Sequence, residues 1–227
     1  MKKYRFFSAL MAVLLCLTLL PVPAAALDDP DIQAQHVILL DGNYDEVLYD
    51  KAGKEKAYPA SITKVMTALL VMEAIESGQM TADTMITASE HSQQGLSIYG
   101  STQNIKPGET MSVKDLLYCL LVPSANEAAN ILAEAVDGSI EDFVAHMNRK
   151  AGELGCQGTH FANPHGLHND DHYTTALDLA HIVRAAMKYD LFRQIVYTSV
   201  YETAATNMSG PRTFYNTNGL ITQWRFR

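Results

Sequence analysis

Residues 58–70 read Tyr58-Pro59-Ala60-Ser61-Ile62-Thr63-Lys64-Val65-Met66-Thr67-Ala68-Leu69-Leu70. The apolar positions Ile62, Val65, Met66, Leu69, Leu70, Met72 and Ile75 keep a mostly helical spacing, and Gly78 closes the run. Ser61 and Lys64 then lie three apart in the first helical turn, on one face and within reach of each other. A serine hydroxyl is a weak nucleophile until a base takes its proton. Lysine serves as that base only if its pKa falls, and a helix start and an apolar surround both push it down. A lone Ser-x-x-Lys occurs about once by chance in an ordinary chain of this length. Its plain reading is a helix cap beside a solvated lysine.

Working outward, Ser124-Ala125-Asn126 follows Pro123, which interrupts a helix opened by Ser112 with Asp115 three residues on. A hydroxyl and an amide on such a turn can face a cleft, one relaying a proton and one binding a carbonyl; Ser124 also reads simply as an N-cap. A second helix runs from there to Gly138. A third opens at Ser139-Ile140-Glu141-Asp142 and ends near Gly155, and a fourth runs from Thr174-Thr175-Ala176 through Met187. Residues 163–173 form a loop. Upstream, His36–Leu40 and Glu46–Tyr49 flank Asp41-Gly42-Asn43, which predicts a β-hairpin. Residues 81–104 read as irregular with short helical pieces at most, and the tail as short extended segments.

The N-terminus is basic (Lys2, Lys3, Arg5), then apolar from Phe6 to Leu20, then Pro21, Pro23 and Ala24-Ala25-Ala26. This is the pattern of a secretory signal peptide over residues 1–26, cut after Ala26, and residues 27–227 form the expected mature domain. Cys16 falls in the discarded part. The net charge of -8 becomes -11 once the three basic residues of 1–26 are set aside. So acidic a surface without basic clusters argues against nucleic acid as a partner. Cys119 and Cys156 read as buried thiols, and no Cys/His spacing resembles a zinc site. Met66, Met72, Met147 and Met187 read as core filler.

The quoted stretch resembles the nucleophile helix of the low-molecular-mass penicillin-binding proteins, the D-alanyl-D-alanine carboxypeptidases. Asp115 to Tyr118, with Ser124 through Ala129, resembles their second motif. Phe161-Ala162-Asn163-Pro164-His165-Gly166-Leu167, with His172 to Ala176 and Asp178-Leu179-Ala180 behind it, resembles a signature loop and helix of the group. Thr213 to Leu220, with Asn216-Thr217-Asn218, resembles the approach to their third motif. The resemblance covers His36 to Leu220 in order. Ala125 stands where many relatives have Gly, and Glu127 where Asp is common. No Lys-Thr-Gly or Lys-Ser-Gly occurs in the 227 residues. The family carries that motif on a strand that supplies an oxyanion-hole N–H, one such donor being worth about 3 kcal/mol.

The resemblance implies an α+β fold of the β-lactamase and penicillin-binding transpeptidase type: a helical cluster against an antiparallel sheet. Only the first two strands are expected here, so the sheet is incomplete and the 227 residues alone are expected to be inactive and poorly stable. The implied roles are Ser61 as nucleophile, Lys64 as base, Ser124 as proton relay and Asn126 as binder of the substrate amide. The implied substrate is the peptidoglycan stem peptide ending in D-Ala-D-Ala, with β-lactams as covalent inhibitors. No metal or cofactor is implied, and membrane association would need segments beyond this sequence. His165 reads as structural support rather than a second base; His160, His168 and His172 read as loop-surface residues. A class A β-lactamase would need a Glu-Pro-x-x-Asn loop, which this sequence lacks. A transpeptidase of the same fold and a non-catalytic envelope protein remain as alternatives.

Overall fold

The computed structural model describes residues 31–44 and 46–222. The signal peptide expected over residues 1–26, and its cut after Ala26, lie outside them. The chain divides into two units, Met1–Ala34 and Gln35–Arg227. Residues 31–34 of the first take no regular structure, and every element named below belongs to the second.

Helix α1 (Lys64–Glu76) is the centre of that unit. Met66, Ala68, Leu69, Leu70, Val71, Met72 and Ala74 are all buried, so the helix is apolar around its whole circumference. A helix of that kind is stable only when enclosed. Its enclosure is built by α2 (Val113–Leu121), α3 (Asn126–Asp137), α4 (Ile140–Glu153), α5 (Ala176–Ala186) and α6 (Asp190–Val196), each of which packs on it. Leu116, Leu117, Leu120, Ile131, Phe143, Ile182 and Ile195 fill the space between. The last described helix, α7 (Gly219–Thr222), is a single turn.

Helix starts follow the capping chemistry. Ser112 accepts from Asp115 N, Ser139 from Asp142 N and Thr175 from Asp178 N, each at 3.0 Å. Each such cap satisfies a backbone donor that the helix leaves unpaired.

The hairpin is present as strands β1 (Val37–Leu40) and β2 (Val47–Lys51), antiparallel with a bulge between Leu39 and Leu40. Asp41 Oδ1 accepts from Asn43 N and Tyr44 N and so shapes the turn. The expectation of only two strands is corrected. Strand β3 (Met85–Thr87) pairs antiparallel with β4 (Thr110–Ser112), and β5 (Val200–Glu202) with β6 (Thr213–Tyr215), giving three separate two-stranded sheets among the described residues. At three residues each, these four strands are too short to display a period-two pattern. What holds β5 and β6 is tertiary: Tyr201 stacks on Tyr118 and donates to Asp115 Oδ1 at 2.8 Å, and Phe214 is buried. Helix α6, read as part of the extended tail, is likewise a short segment held by Phe192 and Ile195 in the core.

Candidate active site

Ser61 and Lys64 are brought together as their spacing predicts, but through a tighter turn than an α-helix. Residues Ala60–Thr63 form a 3-10 turn that runs directly into α1. In that geometry positions i and i+3 eclipse, and Lys64 Nζ lies 3.2 Å from Ser61 Oγ. Ala60, just before the exposed Ser61, has φ +47°, a left-handed conformation that costs a non-glycine residue energy. The neighbouring chain holds it there: Ala57 and Thr174 exchange both backbone hydrogen bonds, at 2.8 and 2.9 Å.

Lys64 is only 2% exposed. Its Nζ also donates to Asn126 Oδ1 at 2.8 Å and to the backbone carbonyl of His165 at 2.7 Å. A neutral amine has two N–H donors and one lone pair. The two shorter bonds take the donors, which leaves the lone pair directed at Ser61 Oγ. Burial pulls the Lys64 pKa down to about 8, partly opposed by the negative charge of Glu127.

The loop that supplies the His165 carbonyl is folded by its own side chains. Asn163 Oδ1 accepts from Gly166 N at 2.6 Å, and Asn163 Nδ2 donates to Leu167 O at 2.9 Å. It is fastened to α1 by Thr67 Oγ1, which donates to Pro164 O at 2.6 Å. Gly166 has φ +89°, and a Cβ there would sit 1.8 Å from Ala60 O. Only glycine lets the loop approach the turn that carries Ser61 so closely.

His172 is not on the surface, as its polar neighbours suggested; it is 2% exposed. Its Nδ1 accepts from Ala162 N at 3.0 Å, which makes Nε2 the protonated nitrogen and the donor to Thr63 Oγ1 at 2.7 Å. Burial, with the charges of His160 and His168, pushes its pKa down to about 4. His165 is buried too, and burial with the Lys64 and His172 charges pushes it to about 3. Both rings are therefore neutral near pH 7 and support the site rather than titrate there.

Ser124 does not cap α3. The N-cap is Ala125, and Ser124 is left-handed at φ +67°. The capping work is done by tertiary contacts instead: Ala125 N donates to Cys119 O and Asn126 N to Ser101 O, each at 2.9 Å. Ser124 Oγ is buried with no hydrogen-bond partner among the described residues. That leaves the Ser124 hydroxyl unbonded in the fold. Gly100 packs on the Asn126 amide, where a Cβ would lie 2.5 Å from Nδ2.

Ser61 and Asn126 line a cavity of about 300 Å³ whose further walls include Tyr58, Tyr99, Ser101 and His168. Tyr99 is 93% exposed at its rim. Sequence reasoning missed this wall, because residues 97–101 carry no periodic signal. Ser61, Lys64 and Asn126 together can activate a serine and hold an amide, whereas Ser124 is not among the residues that line this cavity. Elsewhere, Cys156, Asp178 and His181 bring their ligand atoms within 4.8 Å of one another. Asp178 Oδ2 there is already bound by Gly158 N at 2.9 Å and Thr159 Oγ1 at 2.7 Å. Both described thiols are free and buried, in keeping with their reading as core residues.

Residues 23–226 match the family model described as D-alanyl-D-alanine carboxypeptidase. The D-alanyl-D-alanine carboxypeptidase DacF of Bacillus subtilis (strain 168) is 35% identical over 223 residues; the match covers 96% of this chain and 56% of that protein. The chain thus spans little more than half of that relative's length. Penicillin binding protein 6B from Escherichia coli superimposes with a TM-score of 0.80 at 29% identity, over 90% of this chain and 63% of that one. The Streptomyces K15 DD-transpeptidase gives 0.79 at 29% identity, over 87% and 79%. The fold is therefore the β-lactamase-like fold of the DD-peptidases.

Proposed function

This chain belongs to the D-alanyl-D-alanine carboxypeptidase family, and from that membership we propose that it removes the terminal D-alanine from peptidoglycan stem peptides through a Ser61 acyl-enzyme. The observation that carries the reading is the position of Lys64 Nζ. It is held by Asn126 Oδ1 and the His165 carbonyl at 2.8 and 2.7 Å and turned toward Ser61 Oγ at 3.2 Å.

Neutral Lys64 takes the Ser61 proton as Oγ attacks the carbonyl carbon of the penultimate D-alanine. The tetrahedral intermediate collapses by breaking the C–N bond. Ser124, whose hydroxyl has no structural duty, passes a proton to the leaving nitrogen and recovers one from the Lys64 ammonium. The Asn126 amide holds the substrate's backbone beside the serine. Water, activated by the same lysine, then attacks the ester and releases the shortened peptide and Ser61. β-Lactams acylate the same oxygen. The reaction belongs outside the cytoplasm, in line with residues 1–26 serving as a signal peptide; no described helix is long and apolar enough to cross a membrane.

A second reading transfers the acyl group to an amine instead of water. The likeness to the Streptomyces K15 DD-transpeptidase supports it. Both share the acyl-enzyme, and the product separates them.

The test uses the full-length product of the gene that encodes these residues. A fluorescent penicillin should label it covalently, Ser61→Ala should lose the label, and a peptide ending in D-Ala-D-Ala should yield free D-alanine. Retained labelling in Ser61→Ala would overturn the assignment of the nucleophile. No labelling and no D-alanine from the parent would overturn the function.

A further inference from the structure

Glu127 follows Asn126 directly and is fully buried. A buried carboxylate is costly unless hydrogen bonds and an opposite charge compensate it. One of its oxygens is well served. Oε1 accepts from Thr102 Oγ1 at 2.8 Å, Gln103 N at 2.6 Å and Ile105 N at 3.4 Å. The other, Oε2, is buried with no hydrogen-bond partner among the described residues. Half of this carboxylate is therefore unspent on holding the chain.

Two features tie it to the site. The segment it holds, residues 102–105, continues the stretch whose Tyr99, Gly100 and Ser101 wall the cavity. Ser101 O in turn fixes Asn126 N. Its charge also acts on Lys64, where it opposes the pull of burial. The other titratable groups close to Lys64, His165 and His172, are neutral above about pH 4. Around Glu127 itself stand Cys119, a thiol that burial keeps protonated, and Arg212, which is paired with Glu109 at 2.8 Å.

We propose that Glu127 is a positioning residue for the acylation step: its buried carboxylate holds the cavity wall against α3 and supplies the negative charge that keeps Lys64 a strong enough base. Burial alone pulls a lysine's pKa down, and the Glu127 charge returns part of that fall. A weakened base accepts a serine proton poorly, and the optimum lies near the working pH. The carboxylate thus keeps neutral Lys64 a more basic acceptor of the serine proton than burial alone would leave it. This inference rests on Lys64 being the base of the proposed reaction.

The experiment follows the Lys64 side chain directly, so that it does not depend on turnover. Full-length protein labelled with 13C at lysine Cε is titrated by NMR, and Lys64→Arg identifies the Lys64 signal. Glu127→Gln keeps the shape and an acceptor oxygen but removes the charge. The Lys64 signal should titrate about half to one pH unit lower than in the parent. Glu127→Asp keeps the charge on a shorter stem. It should leave the Lys64 titration near that of the parent while slowing penicillin acylation, because the hold on residues 102–105 loosens. An unmoved titration in Glu127→Gln overturns the proposal. If that variant does not fold, an Asp variant whose Lys64 titrates a full unit lower overturns it instead. A parent that titrates as expected yet never reacts with penicillin would sink the function and leave the electrostatic role of Glu127 standing.

Discussion

Lys64 Nζ donates to the backbone carbonyl of His165 at 2.7 Å, across 101 residues of chain. A backbone carbonyl cannot rotate away as a side chain can. The Lys64 amine is therefore aimed by the folding of the 163–167 loop and not by its own rotamer preference. The loop is in turn fixed to α1 by Thr67 and to the turn that carries Ser61 by the close approach of Gly166. Errors in this loop should appear as errors in the chemistry.

Acylation by penicillin should accelerate with pH and level off above about pH 8, where Lys64 loses its proton. Lys64→Arg should acylate at least roughly a hundredfold more slowly, because guanidinium cannot surrender a proton. Stopped-flow labelling between pH 5.5 and pH 9.5, buffered to constant ionic strength, reads both effects. An arginine variant at the parent rate would remove Lys64 from the base role.

Gly166→Ala should destabilise the protein by about 2–4 kcal/mol, since the new Cβ meets backbone at Ala60 and a left-handed φ strains any side chain. Gly78→Ala is the control. It shares a positive φ of +78° but has nothing within 4 Å of the added carbon. Its cost should stay near 1 kcal/mol, from strain alone. Urea midpoints of the two variants give the comparison. Equal costs would mean that the loop yields easily and that the contact with Ala60 does not position Ser61.

His172 makes stability depend on pH in a predictable direction. Its pKa is about 4 in the folded protein, against an ordinary value of 6.5. Between those values the unfolded chain binds a proton that the folded chain refuses, so stability is lost as pH falls through that window. His172→Gln cannot titrate. The variant should be less stable than the parent at pH 7, and the gap should narrow by roughly 2–3 kcal/mol at pH 4.5. Denaturation at the two pH values measures the gap, and a gap independent of pH would show that the ring does not resist protonation.

Much of this site was legible beforehand, because its signals are local. Ser112 and Ser139 announce helix starts by their own hydrogen bonds. The apolar run after Ser61 announces a buried helix, and Asp41 announces the hairpin turn. What stayed hidden depends on partners far away in sequence. His172 sits among Asn169, Asp170 and Asp171, a polar context that suggests solvent, yet it is drawn inside by Thr63, 109 residues away. Nothing local to Glu127 announces that Gln103 and Ile105 donate to it and close it in. The strands at 85–87 and 110–112 are too short to carry a pattern, and exist because each finds the other.

Ser124, as a serine before a helix, has an ordinary structural use open to it in the sequence, that of an N-cap. The fold removes that use. Ala125 is the N-cap, Ser124 Oγ is buried without a partner, and its backbone stands at φ +67°. Folding alone gives no reason for a hydroxyl here, and an unpaired buried hydroxyl costs about 1–3 kcal/mol of desolvation. Ser124→Ala should therefore leave stability unchanged or slightly raised. Ser124→Gly should gain a little more, because glycine accepts a positive φ freely. D-alanine release should nevertheless fall by roughly a hundredfold or more in both, if this hydroxyl relays the proton to the leaving nitrogen. Thermal melts and product assays on the same preparations separate the two effects. A variant that is stable and equally active would show that the relay runs through another group.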